Sequence, residues 1–227
     1  MKMTYTLPLI TAASLAVTTV SAQAAVVPNF SATYKVQAEG ITGTATRTLA
    51  KQGNGYRYSV KGSALGASIN QSSDFTMSAS SVVPSKSSSS TKFLGIGNTH
   101  SVAFNGAKKS VASTYKGKTT NISMPRQAYD DLSLEVKIRQ ELMAGKFSGS
   151  YPLVKRTNIE NTKFKKAGTS KITVPAGTYE VLRIDRVHDD KDRTTSFWLA
   201  PSLDYLPVKV SQTDDGKVYS MELTKIN

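Results

Sequence analysis

The sequence predicts a mainly β protein, an antiparallel curled sheet or partly open β-barrel carrying one α-helix at about 130–144. Three observations predict it. Apolar and polar residues alternate in many short runs, Gly, Asn and Asp cluster between those runs, and one segment alone combines helical spacing with a cap at each end.

In residues 30–38, Phe30, Ala32, Tyr34, Val36 and Ala38 share one parity, while Ser31, Thr33, Lys35 and Gln37 share the other. Successive side chains of a strand point to opposite faces, so this run is a strand with one buried and one wet face. The same alternation recurs at Tyr56, Tyr58 and Val60, at Val102 and Phe104, at Phe197 and Leu199, and at Tyr219, Met221 and Leu223. Between such runs lie Gln52-Gly53-Asn54-Gly55, Asn105-Gly106, Ala176-Gly177 and Asp214-Asp215-Gly216. Asn and Gly accept the positive φ that tight hairpins require, which favours an antiparallel meander, closed or partly closed, over a βαβ arrangement. The stretch from Ser78 to Ser90, with eight serines and Pro84, fits a loop or a polar strand; the strand, interrupted near Pro84, is the expectation taken.

Asp130 to Ala144 departs from this pattern. Aspartates stand where an N-cap and first turn favour them, Gly145 stands where a C-cap would be, and Leu134, Ile138 and Leu142 repeat every four residues. Leu132, Val136 and Met143 widen the apolar face, so one helix is expected to plug or flank the sheet.

The chain opens on Met1, Lys2 and Met3, followed by an apolar stretch from Leu7 to Val20 and then Ser21-Ala22-Gln23-Ala24-Ala25. The small residues Ala22 and Ala24 fit a signal-peptidase site, and the apolar core is shorter than the roughly 20 residues that span a bilayer. The expected organisation is a signal peptide at 1–24, cleaved after Ala24, and a single β-rich domain at 25–227. The mature domain has no second apolar segment of spanning length and is expected to be a free periplasmic protein, with passage across the outer membrane left open. With no cysteine, disulfides, lipid-modified cysteine and thiolate metal sites are excluded.

The 29 basic residues outnumber the 16 acidic ones. Such an excess concentrates anions at a surface, and for an exported protein those are lipid head groups or acidic polymers, not nucleic acid. The only histidines, His100 and His188, lie far apart in sequence and in no ligand-spaced pair. Asp185 to Arg193 concentrates carboxylates, yet it lacks the glycine and distal glutamate of a calcium loop and interleaves Arg and Lys. Gly117-Lys118-Thr119 lacks the first glycine of a phosphate-binding loop, since position 112 is Ala112. Ser89-Ser90-Thr91-Lys92 matches S-x-x-K formally, but a serine run beside a lysine makes the match automatic. No catalytic residue, metal site or cofactor is therefore expected. Tyr34, Tyr56, Tyr58, Trp198 and Arg57 are the candidate ligand-binding residues, with Lys163-Phe164-Lys165-Lys166 as a further basic and aromatic run.

Three segments together resemble an envelope family known as domain of unknown function 3108: Tyr129-Asp130-Asp131-Leu132-Ser133-Leu134, Val174-Pro175-Ala176-Gly177-Thr178-Tyr179-Glu180-Val181, and Phe197-Trp198-Leu199-Ala200-Pro201 leading to Leu206-Pro207-Val208-Lys209-Val210. The resemblance spans most of the mature chain and implies no activity. Trp198, Leu206-Pro207-Val208-Lys209 and Asp215-Gly216 are also loosely similar to periplasmic lipoprotein carriers. That likeness implies an unclosed barrel whose apolar concavity takes acyl chains. The expected function is a non-catalytic carrier or binding protein for an amphiphilic, anionic envelope component, a lipid or acidic glycolipid. The alternative is a structural protein of an envelope complex, with an envelope protein as partner and no internal ligand; the oligomeric state stays open.

Overall fold

The computed structural model describes residues 26–227, so the expected signal peptide at 1–24 lies outside the described residues. Eight strands come first: β1 (Phe30–Ala38), β2 (Ile41–Gln52), β3 (Gly55–Ala64), β4 (Ala67–Met77), β5 (Val82–Phe93), β6 (Ile96–Asn105), β7 (Ser110–Tyr115) and β8 (Lys118–Ser123). The helix α1 (Asp131–Met143) follows. Six more strands complete the chain: β9 (Ser150–Val154), β10 (Ile159–Val174), β11 (Gly177–Val187), β12 (Arg193–Ala200), β13 (Leu206–Asp214) and β14 (Lys217–Ile226). Every alternating run forms a strand, and the helix forms between its expected caps.

All fourteen strands join one antiparallel sheet in the order β8-β7-β6-β5-β4-β3-β2-β1-β14-β13-β12-β11-β10-β9. It consists of two meanders sewn together where β1 pairs with β14, for example Tyr34 opposite Leu223 and Val36 opposite Met221. The end strands β8 and β9 do not pair with each other. The gap between them is spanned instead by side chains and by the segment leading into α1. Tyr129 makes a single parallel bridge to Leu153, Val102 and Val111 share a core cluster with Met124, Ala128 and Val154, and the Ser113 hydroxyl donates to the Arg156 carbonyl at 2.8 Å. The result is a partly open barrel.

The main core gathers Ala45, Leu49, Tyr58, Val60 and Phe75 from one meander and Tyr151, Leu153, Ile184 and Leu199 from the other around Leu132, Leu134, Val136, Ile138 and Leu142 of α1. The sheet thus curls around the helix, which plugs it from inside. Asp130 caps α1 by accepting from the Leu132 and Ser133 amides at 3.0 and 3.2 Å, and Ser133 returns the contact to complete a capping box. Gly145 follows the helix at φ +67°, as its C-terminal position requires. Even the polar face of α1 is buried, because its side chains satisfy carbonyls of the turns at one end of the barrel. Gln140 donates to the Ser78 carbonyl at 2.6 Å and Arg139 to the Asp204 carbonyl at 3.0 Å.

Strand β5 runs through Pro84, which stands opposite Phe75; a register shift against β4 beside it leaves Ser85 as the extra residue, its hydroxyl donating to the Asp74 carbonyl at 3.0 Å. The outward rows Thr42-Thr44-Thr46-Thr48, Arg57-Ser59-Lys61-Ser63 and Ser68-Asn70-Ser72-Asp74 are polar. A barrel wall set in lipid needs an outward apolar band, which these rows lack. No described helix is long and apolar enough to cross a membrane.

A second core adjoins the first, and Phe30 packs against both. The β10–β11 hairpin shifts register between Lys166 and Thr169, and its tip reaches β14, where the Ala176 amide donates to the Leu223 carbonyl at 3.0 Å. This buries Val174 and Val181 with Ala200, Leu206, Val208 and Leu223, and half-buries Trp198. The three segments quoted for the family resemblance therefore have structural work. One caps the helix and the others assemble this second core.

Candidate ligand-binding cavity

Between α1 and the strands lies a cavity of about 510 Å³. Its middle is apolar, lined by Val36, Ala45, Ile184, Phe197, Val210 and Met221. These residues belong to β1, β2, β11, β12, β13 and β14, so both meanders contribute. Ligand cavities typically fall between about 300 and 1,000 Å³ with a few placed polar groups in an apolar lining, and this one fits that description.

Its deep end is charged. Arg47 takes the inward parity of β2 between Ala45 and Leu49, and Glu135 and Arg139 project from successive turns of α1. Arg47 pairs with Glu135, and the Tyr58 hydroxyl donates to the other Glu135 oxygen at 2.8 Å. The Arg47 guanidinium lies 5.6 Å and 5.2 Å from the Tyr34 and Tyr58 ring centres, and that of Arg139 lies 4.9 Å from Phe30. Two guanidinium groups thus face one carboxylate. Although Arg47 and Arg139 are only 4% and 2% exposed, the Nη1 of each has no hydrogen-bond partner within the described protein. Burial works against the charge of both. For Arg47 the adjoining Glu135 outweighs it and raises the pKa, whereas for Arg139 burial prevails and lowers it.

The opposite end opens among the hairpin turns and is lined by Lys155, Arg186, Arg193, Gln212 and Asp131. Burial, reinforced by the neighbouring Arg186, pulls the Lys155 ammonium below its usual range. Arg193 is partly balanced by Asp214 at 3.7 Å. The carboxylates of Asp190, Asp214 and Asp215 converge here within 4.8 Å of one another on the adjoining turns, where Asp190 and Asp215 are exposed and Asp214 half-buried, so the acidic run read from sequence sits on a solvated tip beside cations.

None of the five residues named from sequence lines this cavity. Tyr34 is fully buried in the second core, donates to the Pro207 carbonyl at 3.0 Å, and burial raises its pKa to about 12. Tyr58 stands behind the cavity wall and fixes Glu135. Tyr56 stacks on Phe75 inside the main core. Arg57, on the outward parity, makes a two-pronged pair with Asp74 at 2.6 and 2.7 Å, which holds that carboxyl below its usual range. Trp198 faces away from the cavity, under Lys209, and is covered by the β10–β11 hairpin. His100 and His188 each bond one hydroxyl, of Ser113 and Thr195, both at 2.9 Å, on different parts of the sheet. The residues missed were Arg47, Glu135 and Arg139. A signal was present: an arginine on the apolar parity of β2, and a Glu-Arg pair four apart on a buried helix.

No curated protein matches the chain. Among solved structures it is similar to a beta-barrel-like protein of domain of unknown function DUF1849 from Brucella abortus, at 11% identity and a TM-score of 0.57, covering 88% of this chain and 97% of that one. At that identity the likeness shows the fold alone. Residues 29–224, from β1 into β14, match the family described as protein of unknown function (DUF3108), and the chain belongs to that family.

Proposed function

We propose that the barrel is a non-catalytic binding or carrier protein of the periplasm whose cavity takes an anionic amphiphile, a lipid or acidic glycolipid of the envelope. The observation that carries this reading is the pair of buried guanidinium groups with unpartnered Nη1 atoms at the floor of an apolar cavity of about 510 Å³. A buried donor left unpaired costs about 1–3 kcal/mol, so an acidic head group there gains charge-assisted hydrogen bonds that the protein itself does not make. The apolar part of the ligand then lies along Ala45, Ile184, Phe197 and Val210. Lys155, Arg186 and Arg193 at the mouth draw the anion in, since like-signed charges in a low-dielectric cleft focus field on the entrance. Binding in place of turnover is supported by the two histidines, neither of which lines the cavity.

Native mass spectrometry of the protein purified from the periplasm, together with a fluorescent fatty-acid probe, tests the reading. A co-purifying lipid and saturable probe binding are expected, and Val210→Trp, which fills the cavity from its wall, abolishes both while the far-UV spectrum is kept. Absence of lipid and of probe binding in the wild-type protein overturns it in favour of a structural role.

A further inference from the structure

Five two-residue hairpins stand at the same end of the barrel as the cavity mouth: Glu39-Gly40, Leu65-Gly66, Leu94-Gly95, Lys116-Gly117 and Asp215-Gly216. In each, both central residues have positive φ, as in Leu65 at 35° with Gly66 at 80° and Leu94 at 49° with Gly95 at 81°. This is the turn that suits antiparallel strands, and its first position favours Asn, Asp or Gly, because a side chain at positive φ crowds the backbone. Leucine is a poor choice there on folding grounds, and here it occurs twice.

Both leucines also face water, Leu65 at 77% and Leu94 at 72% exposure, beside Phe93 at 57% and Ile96 at 82%. The two tips form one surface. The Leu94 amide donates to the Gly66 carbonyl at 2.8 Å, and Leu94 Cδ2 lies 2.9 Å from where a Cβ on Gly66 would stand, so the leucine folds over the neighbouring turn. Around them, residues 61–68, 91–98 and 115–119 carry four lysines, Lys61, Lys92, Lys116 and Lys118, and no Asp or Glu. Tyr115 stands on the same rim between Lys116 and Arg156, whose cationic groups lie 5.7 and 4.1 Å from its ring centre.

We propose that this end of the barrel docks on an anionic phospholipid bilayer, with Leu65, Phe93, Leu94 and Ile96 entering the boundary between head groups and acyl chains and the surrounding lysines at the level of the phosphates. Exposed apolar tips flanked by lysines supply the two signals that interfacial binding combines, buried apolar area and attraction to anionic head groups. The tips project beyond a wall whose outward rows are polar, so the protein sits on the bilayer by this end and does not enter it by its flank. The proposal stands on the tips and not on occupancy of the cavity.

The test uses residues 25–227, which contain all fourteen strands and the helix, with sedimenting vesicles of equal phosphatidylglycerol and phosphatidylcholine or of phosphatidylcholine alone. Binding to the mixed vesicles, weakened by salt and much reduced on phosphatidylcholine, is expected. The Leu65→Asn/Leu94→Asn double variant places the preferred residue in both turns, so its melting temperature holds or rises while vesicle affinity falls about tenfold or more. Lys92→Glu with Lys116→Glu removes the preference for anionic vesicles. Failure of the wild-type protein to bind mixed vesicles, or undiminished binding by the asparagine variant, overturns the proposal; so does concentration-dependent self-association in sedimentation that the same variant abolishes, which assigns the tips to a second copy of the chain. Fatty-acid probe binding by the asparagine variant stays as in wild type, so failure at the membrane and failure of the cavity reading are told apart.

Discussion

Arg47 and Glu135 meet inside the barrel from positions 88 residues apart, and neither charge can be removed without stranding the other. Taking away one member of a buried pair costs about 3–5 kcal/mol, because the survivor keeps its charge and loses its partner, whereas replacing both by apolar residues is often neutral. Glu135→Met is therefore expected to lower the unfolding free energy by about 3 kcal/mol, and Arg47→Leu with Glu135→Met to recover part of it, since buried Arg139 still lacks the carboxylate it faces. Urea unfolding of the two variants checks this; equal losses in single and double variants count against the coupling. At this scale sequence was legible in part. The parity of Tyr34, Tyr58, Arg57 and Trp198 could be read from alternation, since a strand leaves only two faces. What each face meets could not. Trp198 is covered by a hairpin tip from earlier in the chain, and Arg47 is neutralised by a helix, both of them contacts that local spacing does not encode.

The helix was the most legible element, since its ends are written in local chemistry: Asp130 and Ser133 at one, Gly145 at the other. Its placement inside the barrel was not, because the Leu134-Ile138-Leu142 stripe announces one buried face while Arg139 and Gln140 bury polar side chains through hydrogen bonds to the distant Asp204 and Ser78 carbonyls. Asp130→Ala removes the cap and leaves the Ser73 and Ser133 hydroxyls without their acceptor, at an expected cost of about 1–2 kcal/mol, while Asp130→Asn keeps the acceptor for the helix amides and costs less. The last turn of α1 carries a pH signature. Burial raises the Glu141 pKa, but hydrogen bonds from Tyr151 at 2.6 Å and from the Ser148 amide and hydroxyl at 2.9 and 3.0 Å outweigh it and leave the carboxyl below its ordinary 4.5. A depressed folded-state pKa adds stability that is complete above 4.5 and lost as pH falls through the folded value. The stability difference between wild type and Glu141→Gln should accordingly be greatest at neutral pH and shrink below pH 4.5, as urea midpoints across pH 3 to 7 would register.

Across the whole molecule, the succession of hairpins was readable because each turn is a local event, and a chain of hairpins gives a meander. The seam was not, since β1 and β14 lie at opposite ends of the described chain and pair residues such as Tyr34 and Leu223 with no turn between them. Nor was the gap at β8 and β9, where side chains and the Tyr129 bridge stand in for a ladder. The seam makes a strong prediction. Because β14 has β1 on one side and β13 on the other, it is an inner strand, and it also supplies Leu223 to the second core and a carbonyl to Ala176. Leu223→Ala leaves that ladder intact and costs about 2–5 kcal/mol, as other buried leucine truncations do, so it should unfold cooperatively at a lower urea midpoint. Ending the chain at Gly216 is different in kind. It leaves two meanders with bare inner edges, neither of which alone encloses α1, and no contact local in sequence can replace the lost pairing. That chain should show no cooperative transition and no near-UV signal from Trp198. A sharp transition would mean that the meanders fold as separate units and that the seam merely docks them.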